Sequence, residues 1–398
     1  MDVAAESLAS LLFRRIRDEG PLTFEAFMEA ALYHPTLGYY CRGDREVLGT
    51  SGDFRTGPEI HPAFARLLSR QVAEILDRTG EAGAPLRIVE AGPGRGVLAR
   101  SLALSLMEER PDLAERTRLV LVEVSPALMA MQRETLREVP FGGEREMRGV
   151  AWARWDDLLD QDEDEPTCVV ANEFLDALPV RIARRADGQL REIHVDAVGS
   201  SFAEVMLPPA DSRLAEHFER LERAEGVRLA EGQKGEAGLR GLEWVASLER
   251  LFGERGKGGA VIIDYGKKAR DLYDPARSEG TLMCYHRHRA LSDPYARVGE
   301  QDITAHIDFT SIARAAREAG LDVAGPVSQM RFLVALGLPE LFARRAGEVT
   351  HEAIEERLGL HALMAPGGMG EIFSALLMTR GTDASQLTGA RDPFRERA

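Results

Sequence analysis

The stretch VEAGPGRGVLARSL, from Val89 to Leu102, constrains the fold more than any other: an apolar run ends in three glycines at alternate positions, and a helical pattern follows at once. After an apolar strand, Gly92, Gly94 and Gly96 permit a tight turn where an adenosine-bearing ligand can lie against the main chain at the carboxyl end of a sheet. The spacing is GxGxG. A dinucleotide fold uses GxGxxG and rests the pyrophosphate on the helix N-terminus, so an NAD-dependent enzyme is the weakest reading.

The surroundings agree with a sheet. From Leu86 onward, LRIVEAG, RLVLVEVS, TCVVANEF and GGAVIIDYG alternate with helical stretches, the pattern of a doubly wound, mostly parallel α/β sheet. Ahead of them, ESLASLLFRRIRDEG, TFEAFMEAALYH and PAFARLLSRQVAEILDRTG are apolar every three or four residues and predict helices. The last two are separated by a glycine-rich loop, a length that in a compact domain is functional or disordered. Two segments interrupt the alternation. PVRIARRADGQLREIHVDAVGSSFAEVML alternates with period two around an Asp-Gly turn and predicts an antiparallel hairpin inserted after the fourth core strand. The segment from Ser212 to Gly256 predicts charged surface helices with a glycine-rich break. The expected division is a helical extension and loop over 1–80, a core over 81–381 with its insertion at about 180–255, and a polar tail over 382–398.

Composition excludes several partners. The 398 residues can bury a large core, and the formal charge of -15 argues against nucleic acid, which calls for a basic face. No apolar run approaches the ~20 residues of a membrane span. Cys41, Cys168 and Cys284 form no CxxC pair, so neither a disulfide framework nor a zinc cluster is expected. His286 and His288 lack a third ligand nearby, and no metal is expected. MDVAAESLASLLFRRIRDEG carries acids early, unlike a targeting peptide, and reads as a docked helix; together with the cysteine usage this leads to the expectation of a cytoplasmic protein.

Acids stand where the strands end. Glu90 closes the first strand, and Glu123 ends the next, where a nucleoside-binding fold places a carboxylate for the ribose hydroxyls. Asp156 and Asp157 follow the third strand, where such folds contact the adenine amine; either could serve. The fourth strand ends in Asn172, Glu173 and, a few residues on, Asp176, polar groups that an apolar strand has no packing reason to carry. A helix N-cap accounts for one or two of them at most.

SGDFRTGPEI, EAGPGRG, VEVSPALMAMQRE, ANEFLDALPVR, IIDYG, DITAHIDF and GMGEIF, in this order, resemble the MidA-like family of S-adenosylmethionine-dependent methyltransferases, over most of the chain. The resemblance implies a Rossmann-like, seven-stranded methyltransferase core with N-terminal helices over the cofactor cleft. It also implies protein arginine methylation, as symmetric dimethylation in a mitochondrial branch that supports assembly of respiratory complex I. Its cofactor turn falls on Glu90, Gly92, Gly94 and Gly96, and its ribose acid on Glu123. Its cleft-covering loop falls on Gly52, Asp53, Phe54, Thr56, Pro58 and Glu59, with Gly57 where relatives often carry serine. Where relatives read Trp-His-Asp this chain has Trp155-Asp156-Asp157, which favours Asp157 as the matching acid.

Arginine methylation asks for carboxylates. A guanidinium is a poor, protonated nucleophile, and a carboxylate pair can fix its planar fork, localise charge away from the attacking nitrogen and help the proton leave. The candidates are Glu173 and Asp176, with Glu59 from the covering loop; Asn172 positions substrate or the amino-acid part of the cofactor. Phe54 and Phe174 are candidate aromatic walls for the cations. Because the same core serves many acceptors, a small-molecule methyltransferase and a cofactor-binding assembly or scaffold protein are the alternatives to a protein substrate.

Overall fold

Seven strands make the main run of the eight-stranded central sheet of the computed structural model, the short strand Ile307–Asp308 pairing off this run with Gly266 and Lys267; the structure describes residues 7–42, 57–140, 142, 146–161, 165–253, 257–287, 289–344, 347–348, 350–365 and 367–395. In chain order they are β1 (Leu86–Ala91), β2 (Thr117–Val122), β3 (Gly149–Ala153), β4 (Thr167–Asn172), β5 (Gly258–Lys267), β6 (Asp322–Ser328) and β7 (Phe373–Arg380). Their spatial order is β6-β7-β5-β4-β1-β2-β3. The five strands from β3 to β5 are parallel, and β7 runs antiparallel between β5 and β6. All six residues of β1 are buried, as a central parallel strand covered on both faces requires. Ile88, Leu119, Cys168 and Val261 of the sheet share one apolar cluster with Leu67, Leu68, Leu98 and Leu102 of the helices Ala63–Thr79 and Val97–Glu109. The chain winds outward from β1 in one direction and from β4 in the other. Their carboxyl ends therefore form the switch point, where open α/β sheets hold ligands.

The chain divides into two compact units. One comprises residues 1–54, 175–243 and 266–312, the other, with most of the sheet, 55–174, 244–265 and 313–398. This division departs from the expected boundaries. The helix Ala63–Thr79 belongs with the sheet, whereas the N-terminal helices belong with the insertion. The segment expected as a polar tail is partly docked: Leu387 is buried, and the amides of Thr388 and Gly389 donate to Glu74 and Gln71 at 2.8 Å each.

In the first unit the helix Leu8–Glu19 starts on the Ser7 cap and buries Leu8, Leu12 and Ile16, residues four apart on one face. The inserted hairpin turns at Asp187 and Gly188, whose φ values of 53° and 73° suit the two-residue turn that Asp-Gly favours. It continues into a third strand, Ser201–Leu207. The glycine-rich break expected as a loop contains the strand Lys234–Ala237, paired to Arg181–Arg184. Gly235 is required there, because a Cβ would stand 2.9 Å from Leu229 and 3.1 Å from Tyr273. No alternation marks this four-residue edge strand.

Candidate active site

The turn after β1 is left-handed at all three glycines, with φ of 66° at Gly92, 52° at Gly94 and 80° at Gly96. A Cβ at Gly92 would meet the Phe174 ring at 2.8 Å, and one at Gly96 would approach Gln132 to 3.3 Å. The turn is thus glycine for conformation and for space. Glu90, just before it, is 4% exposed, and burial pushes its carboxyl up to about 8.

Glu123 follows β2 and is held in a single orientation. Its Oε1 accepts from the amides of Val124 and Ser125 at 2.8 Å each, and its Oε2 accepts from Gln132 Nε2 at 3.0 Å. Burial raises its pKa and these three donors oppose the rise. Three of roughly four acceptor positions are used within the described residues, leaving one for a ligand hydroxyl. Asp156 and Asp157 both lie exposed in the first turn of the helix Trp155–Leu159, and nothing in the geometry separates them.

At the end of β4, Glu173 has φ of 52° although it is not glycine. Its amide donates to Ile263 O of β5 at 2.9 Å, and its Oε1 accepts from Asn172 Nδ2 at 3.2 Å and from the Gly57 amide at 3.4 Å. The structure therefore brings Asn172, Glu173 and the start of the short helix Gly57–Ile60 together; that helix carries a half-buried Glu59. Phe174 packs over Gly92 and meets the Trp244 ring edge-on at 5.1 Å, and Trp244 lies 4.8 Å from Trp155. Asp53, Phe54 and Thr56 lie outside the described residues.

Asp176 belongs to the other unit. There it is buried, its carbonyl accepts from the Ala305 amide at 3.0 Å, and its charge bears on Tyr40, whose hydroxyl donates to Asp302 at 2.8 Å. Asp308 caps the following helix by accepting from Thr310 and Ser311. His306 is held well below its usual range by burial, at about 4.

Sequence reasoning missed Gln132, which is fully buried and donates to the Glu123 carboxylate. The signal was there. Gln132 stands four residues after buried Leu128 on the helix Pro126–Thr135, a polar residue in a core position.

A family model described as "putative S-adenosyl-L-methionine-dependent methyltransferase" matches residues 67–327. The chain belongs to this methyltransferase family. A protein arginine methyltransferase NDUFAF7 homologue, mitochondrial, from Drosophila melanogaster is 31% identical, across 96% of this chain and 86% of its own. The Mus musculus protein arginine methyltransferase NDUFAF7, mitochondrial, is also 31% identical, across 91% and 82%. The crystal structure of a Burkholderia thailandensis protein bound to S-adenosyl-homocysteine is 33% identical, with a TM-score of 0.82, across 97% of this chain and 95% of that one. This methyltransferase uses S-adenosylmethionine. The expected cytoplasmic location is corrected by these relatives, which are named as mitochondrial; cysteine usage and the absence of a targeting pattern were an inadequate guide to address. Among the described residues no helix is long and apolar enough to cross a membrane.

The residues present fit the cofactor. Gly92 and Gly96 let the Phe174 and Gln132 side chains pack against the left-handed turn, and the buried Glu123 carboxylate at the end of the adjacent strand keeps one acceptor position among the described residues.

Proposed function

We propose that this methyltransferase acts on arginine side chains of a protein, forming symmetric dimethylarginine, and that its substrate is tied to the assembly of respiratory complex I. The relatives named as protein arginine methyltransferases support the acceptor, and the family resemblance supports the degree of methylation and the assembly role. In this reading Glu90, Gly92, Gly94, Gly96, Glu123 and one of Asp156 and Asp157 hold the cofactor, while Asn172 and Glu173 meet the acceptor.

The observation that carries the acceptor side is Glu173. A left-handed non-glycine residue costs about 1 kcal/mol or more and persists where its surroundings over-determine it, as at functional sites. Here β5 holds its amide while Asn172 and Gly57 hold its carboxylate. A carboxylate so fixed can pair with a guanidinium through charge-assisted hydrogen bonds and draw its proton as the nitrogen attacks. The sulfonium of the bound cofactor supplies the methyl group.

The test is transfer of labelled methyl from S-adenosylmethionine into proteins of a lysate from cells lacking this chain, with Glu173→Gln as control and acid hydrolysis of the product. Label in symmetric dimethylarginine that disappears in the variant supports the reading. Label in another amino acid overturns the arginine acceptor, and absence of protein label despite cofactor binding overturns the protein acceptor.

A further inference from the structure

Gln132 uses its side-chain amide in three directions. Nε2 donates to Gly94 O at 2.7 Å and to Glu123 Oε2 at 3.0 Å, and Oε1 accepts from Trp152 Nε1 at 2.9 Å. Gly94 belongs to the turn after β1, Glu123 to the end of β2, and Trp152 to β3, so one buried side chain joins the ends of three neighbouring strands. The contact also explains a glycine, since Gly96 lies against the Gln132 stem. Only an amide can donate twice and accept from the same end of a side chain this long; an ionised carboxylate lacks the donors and an apolar isostere lacks both. Burial raises the stakes, because each lost bond strands a desolvated partner.

We propose that Gln132 is a positioning residue for the nucleoside part of the cofactor, setting the Glu123 carboxylate and the glycine turn at a fixed separation so that the ribose-binding edge is formed before the ligand arrives. The inference rests on placing the cofactor at the glycine turn, as above. It assigns a role to a residue that touches no ligand itself, through the rotamer of the one that does.

Binding of S-adenosyl-homocysteine to the full chain, by calorimetry, tests it with Gln132→Met, Gln132→Glu and Glu123→Gln. Gln132→Met keeps the volume and removes the hydrogen bonds, and is expected to weaken binding about tenfold or more while the chain stays folded. With the tryptophans nitrogen-labelled, one of the three indole signals moves in this variant as Trp152 loses its acceptor. Gln132→Glu sets a second carboxyl against Glu123, with Arg133 next along the helix and stacked over the Trp152 ring at 4.4 Å. Burial and the like charge favour a proton shared between the two acids at lower pH, and they repel once both ionise, so affinity relative to the wild type falls as pH rises. A packing role alone leaves that ratio flat.

Binding by a folded Gln132→Met within twofold of wild type overturns the inference, as does a flat ratio for Gln132→Glu. If Glu123→Gln weakens binding and the Gln132 variants do not, only the role of Gln132 falls. If Glu123→Gln leaves binding intact, the cofactor placement falls and the inference with it.

Discussion

The turns that end β1 and β4 both pass through left-handed backbone, yet one is made of glycine and the other of glutamate. At the first, φ of 66°, 52° and 80° comes without steric cost, and the missing side chains let Phe174 and Gln132 pack against the turn. At the second, φ of 52° is imposed on Glu173 by a hydrogen bond to β5, and the side chain is kept. The difference teaches which end of the switch point presents bare backbone and which presents a functional group. In the proposed function, strain tolerated at one and avoided at the other separates binding from chemistry.

The comparison breaks first, and most visibly, at Glu173→Gln. The substitution keeps length and backbone while removing the charge, so methyl transfer is expected to fall by about 10² to 10⁴ in kcat, as for loss of a positioned acid or base. Calorimetric affinity for S-adenosyl-homocysteine should stay within about threefold of wild type. Loss of both together would place Glu173 on the binding side and erase the distinction.

Gly92→Ala attacks the other turn. It puts a side chain on left-handed backbone and drives a methyl group to 2.8 Å from the Phe174 ring. Strain and overpacking together should cost about 2 to 4 kcal/mol of stability in denaturant unfolding, with cofactor affinity reduced at least ~10-fold. A variant that binds and unfolds like wild type would show that the turn has slack the geometry denies.

The acids beside the turns differ as well. Burial raises Glu90 to about 8, so between its ordinary value near 4.5 and about 8 the folded chain keeps a proton that the unfolded chain releases. Its contribution to stability therefore declines as pH rises through that window. Glu90→Gln removes the decline: its stability relative to wild type should be greater by about 2 kcal/mol at pH ~7.5 than at pH ~5.5, read from urea midpoints. An unchanged difference between the two pH values would mean that Glu90 is ionised in the folded chain.

How far each end was legible follows from the same contrast. Glycine announces left-handed backbone and close approach in its own letter, so the turn, the strand before it and the helix after it could all be read from EAGPGRG. The doubly wound core followed from the alternation, and its seven strands from the family resemblance. Glu173 could be singled out as a polar residue ending an apolar strand, but its conformation is set by Ile263 and Gly57, partners distant along the chain. Gln132 was marked only as a polar residue at a core position of its helix; its partners Gly94, Glu123 and Trp152 come from three separate strand ends. The strand Lys234–Ala237 escaped because four residues rich in glycine and charge show no alternation, and pairing alone made them a strand.

Glu173→Gly gives the smallest effect on stability and the sharpest comparison, because it makes the second turn chemically like the first. Removing the side chain relieves about 1 to 2 kcal/mol of left-handed strain, against about 0.5 to 1 kcal/mol lost to the greater backbone freedom of glycine when unfolded. Loss of the bonds from Asn172 and Gly57 offsets part of the remainder, so the melting temperature should stay level or rise slightly while methyl transfer disappears as in Glu173→Gln. A residue kept for stability cannot behave this way: its deletion must cost folding. A level or higher melting temperature in an inactive variant would show that the backbone at β4 is held in an unfavourable state for the sake of the carboxylate, whereas a drop of several degrees would show that Glu173 belongs to the architecture, as the glycines of the other turn do.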